Sequence, residues 1–376
     1  MHRLCFSVVI LFFASNEGLL LQKGVAECVS RNVNKPLDVG KYPIGLEEKV
    51  SGFENQVLLQ HSQSGRKVQV VGIVGLGGVG KTTLAKELFN RKMKSSQSFD
   101  RESSGYAGFC FLDDVRENVV KGSLIILQRK LLRSLTWSDL QIENKAEGIK
   151  MLKTHLPSHK ILLVLDDVDT VDQVDELVPD QTCIHSDSLI LITSIDKHVL
   201  TRAGVGNSLI YKLDGLSTER SLKLFCQHAF GQPDPLPGFE NLAQEFVNAC
   251  DGLPLSLKVF GGLLHGNNDL SYWSAQLDQL KRRLPEDIKK RLRISYEALN
   301  EHEKQVFLDI SCFFIGQRME MAISIWKVSK WGGWLALQNL QNKCLVEIDS
   351  SNLIRMHDHL WDLAISEASV KQPFRF

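Results

Sequence analysis

The chain has 376 residues, 43% hydrophobic and 23% charged, enough for two or three domains that each bury a core. Lysine plus arginine and aspartate plus glutamate each total 44, so no broad positive field exists to hold nucleic acid, and a specific nucleic acid is not an expected partner. The eight cysteines contain no C-x-x-C pair. Those inside apolar runs, such as Cys312 in Ile310-Ser311-Cys312-Phe313-Phe314, read as small buried hydrophobes in a reducing compartment.

Residues 4–14 are apolar and follow Met1-His2-Arg3, a basic start that resembles a signal peptide and would direct secretion. The run is too short to cross a bilayer as a helix, and Ala14-Ser15-Asn16 is a poor cleavage site. The expectation is instead an apolar helix or strand left from a truncated preceding domain, in a cytoplasmic protein without a membrane span. Residues 17–33 carry a helical pattern through Leu20, Val25, Cys28 and Val29, ended at Lys35-Pro36. Tyr42-Pro43-Ile44-Gly45-Leu46-Glu47 then runs extended into a helix.

Residues 68–74 are β-rich and apolar, as a buried strand requires. Gly75-Leu76-Gly77-Gly78-Val79-Gly80-Lys81-Thr82 follows, in the pattern G-x-x-x-x-G-K-T. Its glycines let the backbone wrap a diphosphate or triphosphate with N–H groups pointing inward. Lys81 adds a point charge, and the Thr82 hydroxyl is a Mg²⁺ ligand. Thr83 opens a helical stretch with Leu84, Leu88 and Phe89 on one face, so the loop ends at a helix N-terminus where unpaired amides favour anions.

Residues 108–112, 160–168 and 188–193 form further apolar strands, with a helix over 124–135 between the first two. Continuous apolar strands separated by helices predict a parallel sheet covered on both faces. From Ser217 the pattern becomes helical, with a hydroxyl N-cap in Ser217-Thr218-Glu219-Arg220 and helices over 239–250 and 255–264. Residues 343–348 and 353–356 predict a small hairpin across Asp349-Ser350-Ser351-Asn352. The basic clusters at 281–283 and 289–291 with Arg293 read as solvated helix faces.

Leu162-Leu163-Val164-Leu165-Asp166-Asp167 is a Walker-B signature, an apolar strand whose carboxyl end carries two acids toward the phosphate loop. Asp166 is assigned to Mg²⁺, with Thr82. Asp167 is assigned to orient or deprotonate an attacking water.

Seven motifs together resemble the NB-ARC module of plant immune receptors with leucine-rich repeats, in the TIR-associated class. They are Tyr42-Pro43-Ile44-Gly45-Leu46-Glu47, the phosphate loop, the run Phe109-Cys110-Phe111-Leu112-Asp113-Asp114-Val115-Arg116-Glu117-Asn118, Leu163-Val164-Leu165-Asp166-Asp167-Val168, Gly252-Leu253-Pro254-Leu255, Leu308-Asp309-Ile310-Ser311-Cys312-Phe313-Phe314 and Met356-His357-Asp358. The resemblance implies an α/β P-loop NTPase domain with a parallel sheet, then a helical bundle, then a winged-helix domain. The expected boundaries are an N-terminal segment 1–40, a nucleotide-binding domain 41–215, a helical subdomain 216–283 and a winged-helix subdomain 284–376. It also implies an ADP/ATP switch in plant defence signalling, with Mg²⁺, in which ADP holds the three parts closed and exchange for ATP opens them. On this resemblance Ile44, Gly75, Gly77, Gly78, Val79, Gly80, Lys81, Thr82, Thr83, Pro254 and His357 contact nucleotide. Pro254 packs near the adenine, and His357 reaches the β-phosphate with Asp358 holding its orientation. Other receptor chains or signalling proteins are the implied partners, with oligomerisation on activation.

The sequence departs from the family in places. Thr193-Ser194-Ile195-Asp196 stands where relatives have Thr-Thr-Arg-Asp, and Ile195 cannot donate to a γ-phosphate. Lys197 is a substitute without a guanidinium's fork. Leu46 stands where many relatives carry arginine. Little hydrolysis is therefore expected, while ADP binding survives. The chain is also expected to be truncated, without a complete TIR domain or repeats. The competing readings are a turnover ATPase, a DNA-binding winged helix and a non-signalling receptor fragment.

Overall fold

The computed structural model describes residues 36–58, 69–96, 106, 108–136, 140–179, 184–185, 187–282, 286–328 and 332–371. The apolar run 4–14 and the helical pattern 17–33 lie outside the described residues, as do Cys5, Cys28 and Cys183.

Five strands form one sheet: β1 (Gln69–Val74), β2 (Gly108–Leu112), β3 (Ile161–Val168), β4 (Leu189–Ser194) and β5 (Ile210–Lys212). Their order is β2-β3-β4-β1-β5 and every pairing is parallel. Successive residues of a strand face opposite sides, yet β4 is buried throughout and β1 and β3 nearly so, so both faces are covered. This explains why the strands read as unbroken apolar runs. The helix Lys81–Ser96 contributes Leu84, Ala85, Leu88, Phe89 and Met93 to that core. Helix Leu124–Thr136 buries Leu124, Leu127, Leu131, Leu132 and Leu135 on a single stripe.

Register positions the chemistry. Val74 pairs with Ser194, and Val168 pairs with the same Ser194, so β1, β3 and β4 end level. A bulge between Leu165 and Val168 takes Asp166 and Asp167 out of the ladder, and Asp167 adopts φ +60°. The carboxyl ends of three strands thus converge beside the loop that follows β1.

Helices Thr218–Ala229, Glu240–Cys250, Pro254–Leu264 and Leu270–Arg282 pack around the fully buried Trp273, which meets Phe225, Phe230, Phe239 and Phe246 ring to ring. The same hydrophobic cluster continues through helices Glu286–Glu297, Glu301–Asp309, Met319–Val328, Gly333–Asn342 and Asp358–Lys371. Asn300 starts the second of these with a reciprocal capping box to Glu303. The expected hairpin is present, shortened to β6 (Glu347–Ile348) against β7 (Ile354–Arg355) and antiparallel.

Two local expectations are corrected. Ser217 occupies the N-cap position of its helix, but its side chain makes no capping bond there. Cys312 is exposed, not buried, because residues Ile310–Phe314 wind as a π-turn that buries Ile310, Ser311 and Phe314 and turns Cys312 outward. Of the basic clusters, Lys289 donates to Ser366 Oγ of helix Asp358–Lys371 at 2.6 Å in a part-buried contact and Arg293 pairs with Glu297 at 3.1 Å, while the side chains at 281–283 and 291 lie outside the described residues.

Candidate functional site

The loop after β1 is held by close approaches that only glycine permits. Gly78 and Gly80 have φ of +85° and +103°. A Cβ on Gly75 would lie 2.6 Å from the Leu213 carbonyl oxygen, and one on Gly78 would lie 2.8 Å from Leu255 Cβ. Leu255 also donates its amide to Gly78 O at 3.3 Å. The loop is therefore wedged between the end of β5 and the N-terminus of helix Pro254–Leu264.

Lys81 is the first residue of its helix and only 8% exposed. Its ammonium donates to Gly75 O at 2.8 Å and Leu76 O at 3.1 Å. Burial pushes its pKa down to about 8, against the opposing pull of Cys344, Asp167 and Asp166. Thr82 Oγ1 donates to Asp166 Oδ2 at 2.9 Å, and Thr193 Oγ1 donates to Asp166 Oδ1 at 2.7 Å. Burial raises the Asp166 pKa, and the two hydroxyl bonds oppose that shift. The Asp167 amide donates to Thr193 Oγ1 at 2.9 Å, while its carboxylate is paired with Arg116 Nη2 at 2.7 Å.

Two hollows adjoin the loop. The larger, about 460 Å³, is lined by Gly77, Gly78, Gly80, Lys81, Thr82 and Thr83. Asp167, Thr193, Ile195 and Arg116 face it from the sheet side, and Pro254, Leu255, Lys258, Ile294 and Ser295 from the helical side. The smaller, about 310 Å³, is lined by Gly75, Leu76 and Val79, and by Leu253, Cys344 and His357 from later segments.

His357 Nδ1 accepts the His359 amide at 3.2 Å, which assigns the proton of the neutral ring to Nε2. That nitrogen is buried without a hydrogen bond, 3.5 Å from Asp251 Oδ2. Burial, then the neighbouring His359, pushes the His357 pKa down to about 4, so the ring is a neutral donor at pH 7. The side chain of Asp358, expected to orient it, lies outside the described residues; the His359 backbone does that work.

Of the sequence-derived residues, Gly77, Gly78, Gly80, Lys81, Thr82, Thr83, Asp167 and Pro254 share the larger hollow. Gly75, Val79 and His357 share the smaller one, and Asp166 is joined to the larger through Thr82. Ile44 lines neither and packs against the helical core. Sequence reasoning gave no role to Arg116, Lys258 or Cys344. Arg116 belongs to the motif that runs from β2 through Asp113-Asp114 into helix Val115–Val120, and its place in the first turn of a helix that follows a strand end was its available signal. Nothing local marks Lys343, whose ammonium reaches Asp196 Oδ2 at 2.7 Å, next to Ile195.

The model of the NB-ARC domain matches residues 54–234, and that of the Roq1-like winged-helix domain of disease resistance proteins matches residues 300–366. The chain carries an NB-ARC domain followed by a Roq1-like winged-helix domain. TMV resistance protein N of Nicotiana glutinosa is 36% identical over 324 residues, covering 85% of this chain and 27% of that protein. Disease resistance protein RUN1 of Vitis rotundifolia is 33% identical over 339 residues, covering 89% of this chain and 24% of that protein. The chain thus spans about a quarter of the length of these relatives. A solved structure, the Walker-type ATPase PABY2304 of Pyrococcus abyssi, superposes with a TM-score of 0.53 at 14% identity, over 85% of this chain and 95% of that one. That likeness bears on the fold alone and agrees with the P-loop NTPase sheet. Among the described residues, no helix of this NB-ARC chain is long and apolar enough to cross a membrane.

Proposed function

We propose that this chain is an ADP/ATP-binding switch of plant defence signalling, acting in the cytoplasm, with nucleotide held by the P-loop while the helical and winged-helix segments close over it. The observation that carries the reading is the shared hollow: loop glycines, Lys81 and Thr82 on one side, and Pro254, Lys258 and Ser295 on the other. The residues suit a phosphate. Gly77, Gly78 and Gly80 line the hollow without side chains to keep a ligand from the backbone, and the Lys81 ammonium rests on loop carbonyls that phosphate oxygens would replace. Thr82 and Asp166 already meet at 2.9 Å, with the carboxylate partly neutralised by hydroxyl donors, which suits a divalent cation between them. Mg²⁺ there would supply charge neutralisation to the outer phosphates. Pro254 begins its helix without an N–H to strand, and its ring suits an apolar face such as adenine. His357, assigned to the β-phosphate by the family resemblance, lines the neighbouring smaller hollow, where its buried Nε2–H makes no hydrogen bond and lies 3.5 Å from Asp251 Oδ2.

Hydrolysis, in this reading, is slow. Ile195, which lines the hollow at the tip of β4, has a side chain with no donor for charge that develops on the outermost phosphate. The domain limits 41–215, 216–283 and 284–376 are part of the proposal, as are oligomerisation on activation and other receptor chains as partners. Two states of such a module require ligands with different affinity for the two packings.

The test is to identify the nucleotide retained through purification, comparing the unaltered chain with Lys81→Ala. Bound ADP is expected in the first and almost none in the second. Equal occupancy would remove the site assignment. Multiple-turnover phosphate release at rates of ordinary enzymes, about 1 per second or more, would favour the turnover ATPase instead.

A further inference from the structure

We infer that Arg116 is the residue by which this chain tells a nucleoside triphosphate from a diphosphate, exchanging its ion pair with Asp167 for one with the outermost phosphate. The inference rests on the nucleotide reading above and names a discriminating residue within that site.

Arg116 stands just past the carboxyl end of β2, the strand beside β3, and faces the same hollow as Lys81, Thr82 and Thr83. Among the described residues lining that hollow, the cations are Lys81, Lys258 and Arg116. Lys81 belongs to the loop itself, and Lys258 comes from the helix on the opposite wall. Arg116 is the one with a planar fork, the geometry that binds phosphate oxygens two at a time. The tip of β4 offers no rival, because Ile195 has no donor and the Thr193 hydroxyl is committed to Asp166.

The Asp167 carboxylate behaves here as an internal anion. It holds Arg116 Nη2 at 2.7 Å, with the two side chains 17% and 19% exposed, so water reaches the pair and exchange is not sealed off. A terminal phosphate carries more charge than one carboxylate and competes for the same guanidinium. On this inference a diphosphate, lacking the third phosphate, does not compete for Arg116 and leaves the pair intact. A triphosphate draws Arg116 away and leaves Asp167 as a free carboxylate at the place where a water would be oriented. One exchange thus couples recognition of the third phosphate to release of the candidate base.

The experiment is titration calorimetry on the intact chain with Mg²⁺, using ADP and a non-hydrolysable ATP analogue. Arg116→Gln is expected to weaken the analogue about 10- to 100-fold, the range for a lost charged hydrogen bond, and ADP by less than about threefold. Arg116→Lys should fall between. Asp167→Asn should tighten the analogue and leave ADP unchanged, and it carries the test if Arg116→Gln does not fold. Equal losses for both nucleotides would make Arg116 merely structural and overturn the inference, as would no loss for either. Absence of any binding by the unaltered chain would instead remove the nucleotide reading itself, and this inference with it.

Discussion

Replacing Lys343 by methionine tests whether the winged-helix segment is fastened to the tip of β4. Lys343 follows helix Gly333–Asn342, and its ammonium lies 2.7 Å from Asp196 Oδ2, the side chains being 19% and 13% exposed. Asp196 Oδ1 separately accepts the His198 amide at 2.8 Å and caps helix Lys197–Arg202. Removing one member of a fully buried ion pair costs about 3–5 kcal/mol, because a charge is left without a partner. Here some solvent reaches both groups and the cap survives, so we expect a loss of about 2 kcal/mol for Lys343→Met. Asp196→Asn keeps the capping oxygen while removing the charge. In urea denaturation followed by tryptophan fluorescence, the two substitutions should be non-additive, with a coupling of at least about 1 kcal/mol. Additivity within about 0.5 kcal/mol would refute the reasoning, showing that the pair contributes nothing beyond its separate charges.

Two further outcomes follow from the loop. Gly78→Ala should destabilise the chain by about 1–3 kcal/mol, because φ +85° strains any L side chain and the new methyl meets Leu255 Cβ at 2.8 Å. Gly80→Ala, with φ +103° but nothing within 4 Å, should cost less in the same urea titration; equal costs would show that the Leu255 contact is irrelevant. Lys81 has a folded pKa of about 8, below the 10.5 of a free lysine, so the charged form is penalised by folding. That penalty is fully present below pH 8 and gone above pH 10.5, and the shift corresponds to about 3 kcal/mol at most. Lys81→Met should therefore stabilise the nucleotide-free protein at pH 7 by about 1–3 kcal/mol and by nothing at pH 10.5, as measured by paired denaturation curves; a loss of stability at pH 7 would refute the sign.

What was legible in the sequence was local. The phosphate loop, the strand ending in Asp166-Asp167 and the helix after Lys81 are contiguous patterns whose residue types and order suffice to place them. The hairpin before Met356 was visible from its turn residues, though pairing is confined to β6 and β7. Partnerships across long separations were not legible. Asp196 and Lys343 are 147 positions apart, and nothing in either neighbourhood points to the other. Arg116 carried no mark of its bond to Asp167, because the bulge in β3 that presents Asp167 is a property of register against β4. Cys312 misled because apolar neighbours predict burial only if the helical period is known, and a π-turn changes that period by one residue. Ile44 was carried over by resemblance alone, and its side chain packs with the helical core.

The smaller hollow draws its walls from the phosphate loop, from Leu253 and from Cys344 and His357 near the chain's end. Synthesis proceeds from the amino terminus, and domains fold as they emerge. The glycine loop can thus form on the ribosome long before its last wall exists. Cys344 and His357 add their wall only after the intervening helices have been made.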